Sequence, residues 1–331
     1  MKINSALLLI FLSGAFAPGL AAAQAAATGS GQAYPAKPVR VVVPFPPGGA
    51  ADIVARQVTH NLSAALATQF IVDNRAGAGG AIGTENVARA APDGYTLLFG
   101  SSSAMSINPH IGAKSPYDPL RNFSYVILVG YAPNVLVVHP SVPARSVKGL
   151  IALAQSKPGA LNFASNGVGT LSHLTGELFM QRAGISMVHV PYKGAAPAVI
   201  DTIAGNVSVL FAAYPSISAQ QRAGKLRALA VTSAKRMELA PELPTVAEAA
   251  LPGFESNQWW GIYGPAGMPA AVAGKLNAEL NKVLHAADIR KRLAADGAQP
   301  AGGTPEDLAT YLRQDYEKWG KVIKAARIAG G

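Results

Sequence analysis

Val39-Arg40-Val41-Val42-Val43-Pro44-Phe45-Pro46-Pro47-Gly48-Gly49-Ala50-Ala51-Asp52 is the stretch that decides the fold class. A β-branched run that carries almost no polar residue reads as a strand buried on both faces in a parallel sheet. Proline and glycine then end the run, and an amphipathic helical pattern follows. A strand that feeds a helix through a short glycine turn is half of a βαβ unit.

The same unit recurs along the chain. Strands are expected at Phe70-Ile71-Val72, Tyr95 to Phe99, Val135 to Val138, Leu161 to Ala164, Met187 to Val190, Val207 to Phe211 and Leu226 to Val231, and helical patterns separate most of them. This alternation implies an α/β fold, with mainly parallel sheet covered by helices, rather than a sandwich or a bundle. Extended apolar segments near Val135 and at Trp259 to Tyr263 suit two strands crossing between lobes. Near the end, Thr304-Pro305-Glu306-Asp307 supplies a hydroxyl cap, an N1 proline and two acids, which marks a helix start. Leu308, Tyr311, Leu312 and Trp319 follow at helical spacing and are expected to pack that helix onto the first lobe.

Upstream, Met1 and Lys2 precede an apolar stretch from Ala6 to Leu20 that closes on Ala21-Ala22-Ala23. The reading is a signal peptide over residues 1–23, cleaved after Ala23, then an Ala/Gly/Ser linker over 24–33, so that the protein is expected in the periplasm. The run is too short for a membrane span and is broken by Pro18 and Gly19. The sequence has no cysteine, which excludes disulfides, thiolate metal sites, a cysteine nucleophile and a lipid-modified cysteine anchor. Roughly 300 residues remain, enough for two α/β lobes with a ligand site between them. The net charge of +10 favours anions. The basic residues are scattered, with short clusters such as Arg290-Lys291-Arg292, so nucleic acid is not the expected partner.

Several loops sit between a strand and a helix. Pro46, Pro47, Gly48 and Gly49 would let backbone N–H groups approach an anion at a helix N-terminus, with Asp52 either beside the ligand or serving the first helical turn. Asp73-Asn74-Arg75-Ala76-Gly77-Ala78-Gly79-Gly80-Ala81 offers a second such nest, which a bulky residue at Gly80 would block. Gly77, Gly79 and Gly83 spell a loose relative of a dinucleotide fingerprint, but Ile82 stands where the third glycine belongs, so the match to that motif is weak. In the second half Ser165, Asn166, Gly169, Thr170 and His173 form another glycine loop and helix start, and Pro191 to Pro197 a further turn. Asp201 lies on the helix that follows, and Tyr214 and Ser216 come at the end of the next strand. Caps and turns use the same residue types.

Catalytic motifs are missing. The six histidines form no His-Glu-x-x-His pattern, Gly100-Ser101-Ser102-Ser103-Ala104 lacks the final glycine of a nucleophile elbow, and there is no P-loop. An exported hydrolase built on Ser102 or Thr170 remains as an alternative. Trp259 and Trp260 read as packing beside a crossover strand, with stacking on a ligand as the other reading.

Taken together, Tyr34-Pro35, Val41 to Phe45, Gly48-Gly49, Asp52, Asn74-Arg75, Gly79-Gly80, Ala91-Pro92-Asp93-Gly94-Tyr95, Lys157-Pro158-Gly159, Gly169-Thr170, Pro191-Tyr192-Lys193-Gly194 and Leu243-Pro244-Thr245-Val246 resemble the Bug-type receptors of tripartite tricarboxylate transporters. The resemblance implies a two-lobed fold of the periplasmic-binding-protein type II kind. Lobe 1 would span 34–134, lobe 2 135–255, and residues 256–331 would return to complete lobe 1. It places ligand loops at Pro46 to Gly49 and Gly79 to Ala81, opposed by Ser165 to Thr170 and Asp201, with Ser101 and Ser102 ending a neighbouring strand. It implies a monomeric receptor for a small carboxylate, held by backbone N–H groups and water, with no cofactor, no metal and no catalysis. The output would be a membrane transporter or, alternatively, a sensor kinase.

Overall fold

The computed structural model describes residues 34–111 and 115–326. The expected signal peptide and linker, residues 1–33, lie outside the described residues. The chain opens with β1 (Val39–Val43), α1 (Ala50–Leu66), β2 (Phe70–Asn74), α2 (Ala81–Ala88) and β3 (Thr96–Ser101). β1 carries the β-branched run, buried at four of its five positions, and it pairs in parallel with β2 and β3, Val41 facing Val72 and Leu97. Sheet and helices bury it on both faces, as an apolar run requires.

A single long strand, β4 (Phe123–Val138), then crosses the molecule. Beyond it come α3 (Val147–Ser156), β5 (Asn162–Ser165), α4 (Leu171–Ala183), β6 (Val188–Pro191), α5 (Ala195–Ile203), β7 (Val209–Ala213), α6 (Tyr214–Arg222), β8 (Arg227–Val231) and α7 (Val246–Ala249). The return is made by β9 (Asn257–Pro265), followed by α8 (Ala270–His285), α9 (Ala287–Ala295), β10 (Gln299–Gly302) and α10 (Pro305–Ala326).

The strand order is β2-β1-β3-β9-β4-β7-β5-β6, with β8 and β10 both on β4. The βα units at either end are parallel, as the alternation of patterns predicts. The centre is antiparallel, because the crossing strands run against their neighbours: β9 against β3 and β4, and β4 against β7, β8 and β10. The fold is therefore α/β with a mixed sheet.

β4 belongs to two sheets. Residues 123–133 pair with β9, whereas Asn134 to Val138 pair with β7. Buried polar groups tie the change of sheet. The Asn134 carbonyl accepts the backbone N–H of Thr232 at 2.8 Å and its hydroxyl at 3.0 Å, and the Thr232 carbonyl accepts the N–H of Ser256 at 2.9 Å. The hydroxyls of Ser256 and Thr175 meet at 2.6 Å. Groups buried this deeply are stable only when paired.

α10 begins where the sequence predicts. Thr304 and Asp307 cap each other: the Thr304 Oγ1 accepts the Asp307 N–H at 3.1 Å, and the Asp307 carboxylate accepts the Thr304 N–H at 2.8 Å. Leu308 and Leu312 pack with Trp259 and Tyr263, on the first sheet. Two turns further on, Trp319 and Ile323 pack with Ile107, Leu171 and Leu174, so the same helix also reaches α4 on the second sheet. No helix among the described residues is long and apolar enough to cross a membrane.

Candidate functional site

The loops that follow β1, β3, β5, β6 and β7 converge on one cavity, with roughly 530 Å³ of empty space including its mouth. Every one of them leaves the carboxyl end of a strand, where open α/β sheets place their ligands. Phe45, Pro46, Gly49, Ala50, Ser101 and Ser103 line it from the first sheet. Asn166, Thr170, Ser172, Gly194, Ala195 and Ser216 line it from the second, and Asn134, Gln258 and Trp260 come from the crossing strands. No lining residue is ionisable.

Helices α1, α4 and α5 begin at this cavity, and their first-turn N–H groups, which have no partner within the helix, give it a positive character without a cation. Two are capped across the cleft. The Ala50 N–H at the start of α1 donates to Ser216 Oγ at 2.9 Å, and the Leu171 N–H at the start of α4 donates to Ser103 Oγ at 2.9 Å. Each hydroxyl accepts from a backbone on the opposite side and keeps its own hydrogen to donate. The β1–α1 loop also packs against α5: a Cβ on Gly49 would sit 3.6 Å from that of Ala195.

Asp52 anchors the same loop. It is almost fully buried. Its carboxylate accepts from the Gly48 N–H at 3.0 Å, Arg56 Nε at 2.9 Å and Asn74 Nδ2 at 3.0 Å. Burial pushes its pKa up, but the hydrogen bonds from Arg56, Gly48 and Asn74 outweigh this and hold it below the ordinary carboxylate value. The structure gives Asp52 a loop-pinning role. Pro47 and Gly48 are exposed beside it.

The Gly77–Gly80 loop does not line the cavity. Its Gly80 N–H is taken by the Gly77 carbonyl at 2.9 Å, and Asn108 Nδ2 donates to the Ala78 carbonyl at 2.8 Å. Gly79 lies against Asn108 and the Val168 carbonyl. Gly80 takes φ +102°, and a Cβ there would lie 3.0 Å from Phe45 Cζ, so the residue supports a cavity wall rather than forming one. Ala81 is buried at the start of α2.

Among the remaining sequence candidates, Ser101, Asn166 and Thr170 line the cavity together with Pro46 and Gly49. Ser102 is fully buried behind them. Ser165 meets His189 Nε2 at 2.7 Å, and the Gly169 N–H donates to His173 Nδ1 at 3.3 Å, which puts the His173 proton on Nε2. His173 and His189 stack at 4.2 Å, and Phe163 continues the stack at 4.8 Å. Burial, then the neighbouring His173, pushes the His189 pKa down to about 4. Asp201 accepts from the Tyr192 hydroxyl at 2.7 Å, away from the cavity. Tyr214 is buried with its hydroxyl toward Gln221 at 3.4 Å, whereas Ser216, two residues on, reaches the cleft.

Neither proposed nucleophile has a histidine partner. The Thr170 hydroxyl donates to the Gly167 carbonyl at 2.7 Å, and Ser102 Oγ has no hydrogen-bond partner. The described residues hold no cluster of His, Asp and Glu suited to a metal ion. Sequence reading passed over Asn134 and Gln258 and favoured packing over ligand stacking for Trp260. The alternation of β9 carries the signal, because Gln258 and Trp260 share one face and Trp259 takes the other.

The pattern of the tripartite tricarboxylate transporter family receptors matches residues 54–328. Protein BugT of Bordetella pertussis is 38% identical over 306 residues, covering 92% of this chain and 94% of its own. Protein Rpa4515 of R. palustris, solved with adipate, is similar at 36% identity and a TM-score of 0.88, covering 90% of this chain and 99% of its own. MatC of Rhodopseudomonas palustris, solved with bound malate, is similar at 30% identity and a TM-score of 0.83, covering 88% and 100%. By sequence and by fold alike, this chain belongs to the tripartite tricarboxylate transporter family of receptors.

Proposed function

We propose that the protein is a periplasmic receptor that captures a small organic carboxylate in the cleft and delivers it to a membrane transporter. One observation carries the reading. A cavity with no ionisable lining residue is faced by the N-termini of α1 and α4, whose first N–H groups already bond to serine hydroxyls from across the cleft. Backbone donors at helix N-termini hold an anion without a counter-charge. The bound adipate and malate of the two similar structures support the ligand class.

The change of pairing partner along β4 supports a division into two lobes. Lobe 1 comprises 34–134 and 256–331, and lobe 2 comprises 135–255. The chain crosses between them at Asn134 and Ser256, which Thr232 ties together. Capture is non-covalent: the lobes close on the ligand, and the closed surface is what the transporter reads. A signal peptide removed after Ala23 delivers the protein to the periplasm.

A thermal-shift screen of residues 24–331 against dicarboxylates, tricarboxylates, amino acids and aromatic acids tests this reading, because a ligand that binds only the native state raises Tm. Stabilisation by a carboxylate class is expected. A flat response from protein that mass spectrometry shows to be free of co-purified ligand would refute it.

A further inference from the structure

Trp259 and Trp260 are neighbours on β9 and face opposite ways. Trp259 turns to α10, where its indole N–H donates to the Asp315 carboxylate at 2.7 Å and its ring meets Tyr311 edge-on. Trp260 lines the ligand cavity. Its side chain is fully buried, yet its indole N–H has no hydrogen-bond partner. A buried donor without an acceptor is expensive and rare in native proteins. Packing alone would be served by phenylalanine, which has no N–H to satisfy.

The surroundings of Trp260 suit a polar atom of a ligand. Ser101 is its register partner on β3, so the two side chains share one face of the sheet, and Ser101 also lines the cavity. The Ser101 hydroxyl has only a long contact, at 3.5 Å from the Ala104 N–H, which leaves its hydrogen free. Phe99, centred 6.5 Å from Trp260, supports the indole ring. The two donors are neutral, and no lining carboxylate is present to hold an ammonium group.

We infer that Trp260 is a specificity-determining residue: with Ser101 it donates a hydrogen bond to a second oxygen-bearing group of the ligand, in addition to the carboxylate at the helix N-termini. The site therefore selects dicarboxylates over monocarboxylates of the same chain length. This rests on the carboxylate-receptor reading above.

The test compares succinate, malate and adipate with monocarboxylates in which methyl replaces one carboxyl group, butyrate for succinate and hexanoate for adipate. Calorimetric Kd values are measured on the wild-type protein and on Trp260→Phe. The variant is expected to weaken the dicarboxylate by at least about tenfold, the size of a lost hydrogen bond to a charged group, and to leave the monocarboxylate within about twofold. The sequence has three tryptophans, so the indole ¹H–¹⁵N cross-peaks of the wild-type protein give a second readout that does not depend on the variant folding. The Trp260 peak is expected to move downfield with dicarboxylate. Equal weakening of both acids, unchanged binding, or a stationary Trp260 peak with dicarboxylate bound would each overturn the role of Trp260 alone. If the wild-type protein binds another carboxylate class but none of these dicarboxylates, this inference falls and the receptor reading stands; if it binds no carboxylate, both fall.

Discussion

Ser216 Oγ accepts the backbone N–H of Ala50 at 2.9 Å, so a hydroxyl from α6 caps a helix that begins on the other side of the cleft. Ser103 does the same in the opposite direction for Leu171. These two bonds exist only while the sheets face each other at this distance. The proposed capture by closure thereby predicts that these two side chains link ligand affinity to the approach of the sheets.

Ser216→Ala and Ser103→Ala are each expected to weaken carboxylate binding about fivefold, the equivalent of about 1 kcal/mol for one neutral hydrogen bond. Calorimetric titration checks this. Tighter binding in either variant would show that the serine occupies the place of a ligand oxygen.

Asp52→Ala leaves the Gly48 N–H without its acceptor and removes one of the two acceptors of Asn74 Nδ2, which keeps the Phe45 carbonyl, and the partner of Arg56 Nε. A loss of about 2 kcal/mol is expected, or a drop in Tm of about 3 °C for a chain of this size. The pKa of Asp52 is lowered in the native state, so its contribution is present above the ordinary carboxylate pKa and is lost as pH falls through the native value. Asp52→Asn should therefore flatten the acid limb of the stability profile, read by denaturant unfolding at a series of pH values.

His189 titrates in the opposite sense to a salt-bridged histidine. Its native pKa is depressed to about 4 from 6.5, so the unfolded chain takes up the proton first and stability declines as pH falls from about 6.5 towards about 4. His189→Phe keeps the stack between Phe163 and His173 and removes the titration. Its Tm should depend less on pH across that window, and an unchanged slope would assign the pH dependence to other groups.

Gly80→Ala is expected to reduce stability by about 1–3 kcal/mol, because φ +102° strains any side chain. It should weaken ligand binding as well, since the new Cβ meets the ring of Phe45, which lines the cavity. The sequence reading expected a bulky residue here to block an anion nest. Circular-dichroism melts beside titrations distinguish the two outcomes.

The α/β class was legible because β1 announces a doubly buried strand and the helix patterns keep their period. β4 was legible only at Val135 to Val138. Gly130 and Pro133 look like strand breakers, yet a Cβ at Gly130 would overlap the Gln299 carbonyl, so the glycine is what lets β10 pair there. β10 itself is four residues containing proline and glycine, and no periodicity marks it.

The site was legible in its loops and not in its partnerships. Pro46, Gly49 and Thr170 sit where glycine turns meet helix starts, which a sequence displays. Ser103 with Leu171, and Ser216 with Ala50, are pairs separated by 68 and 166 positions, and only the folding of the two sheets brings them together. Asp52 and Asp201 looked available for a ligand because a carboxylate is visible in a sequence and the hydrogen bonds that occupy it, from Arg56 and Asn74 or from Tyr192, are not.

Isothermal titration of residues 24–331, verified free of co-purified ligand by mass spectrometry, with succinate, malate, adipate and citrate is the most direct test of the central claim. Saturable binding of at least one of them at one site per chain, weakened by Ser216→Ala, is the predicted result. Absence of binding by all four would contradict the account of the cleft as a carboxylate site.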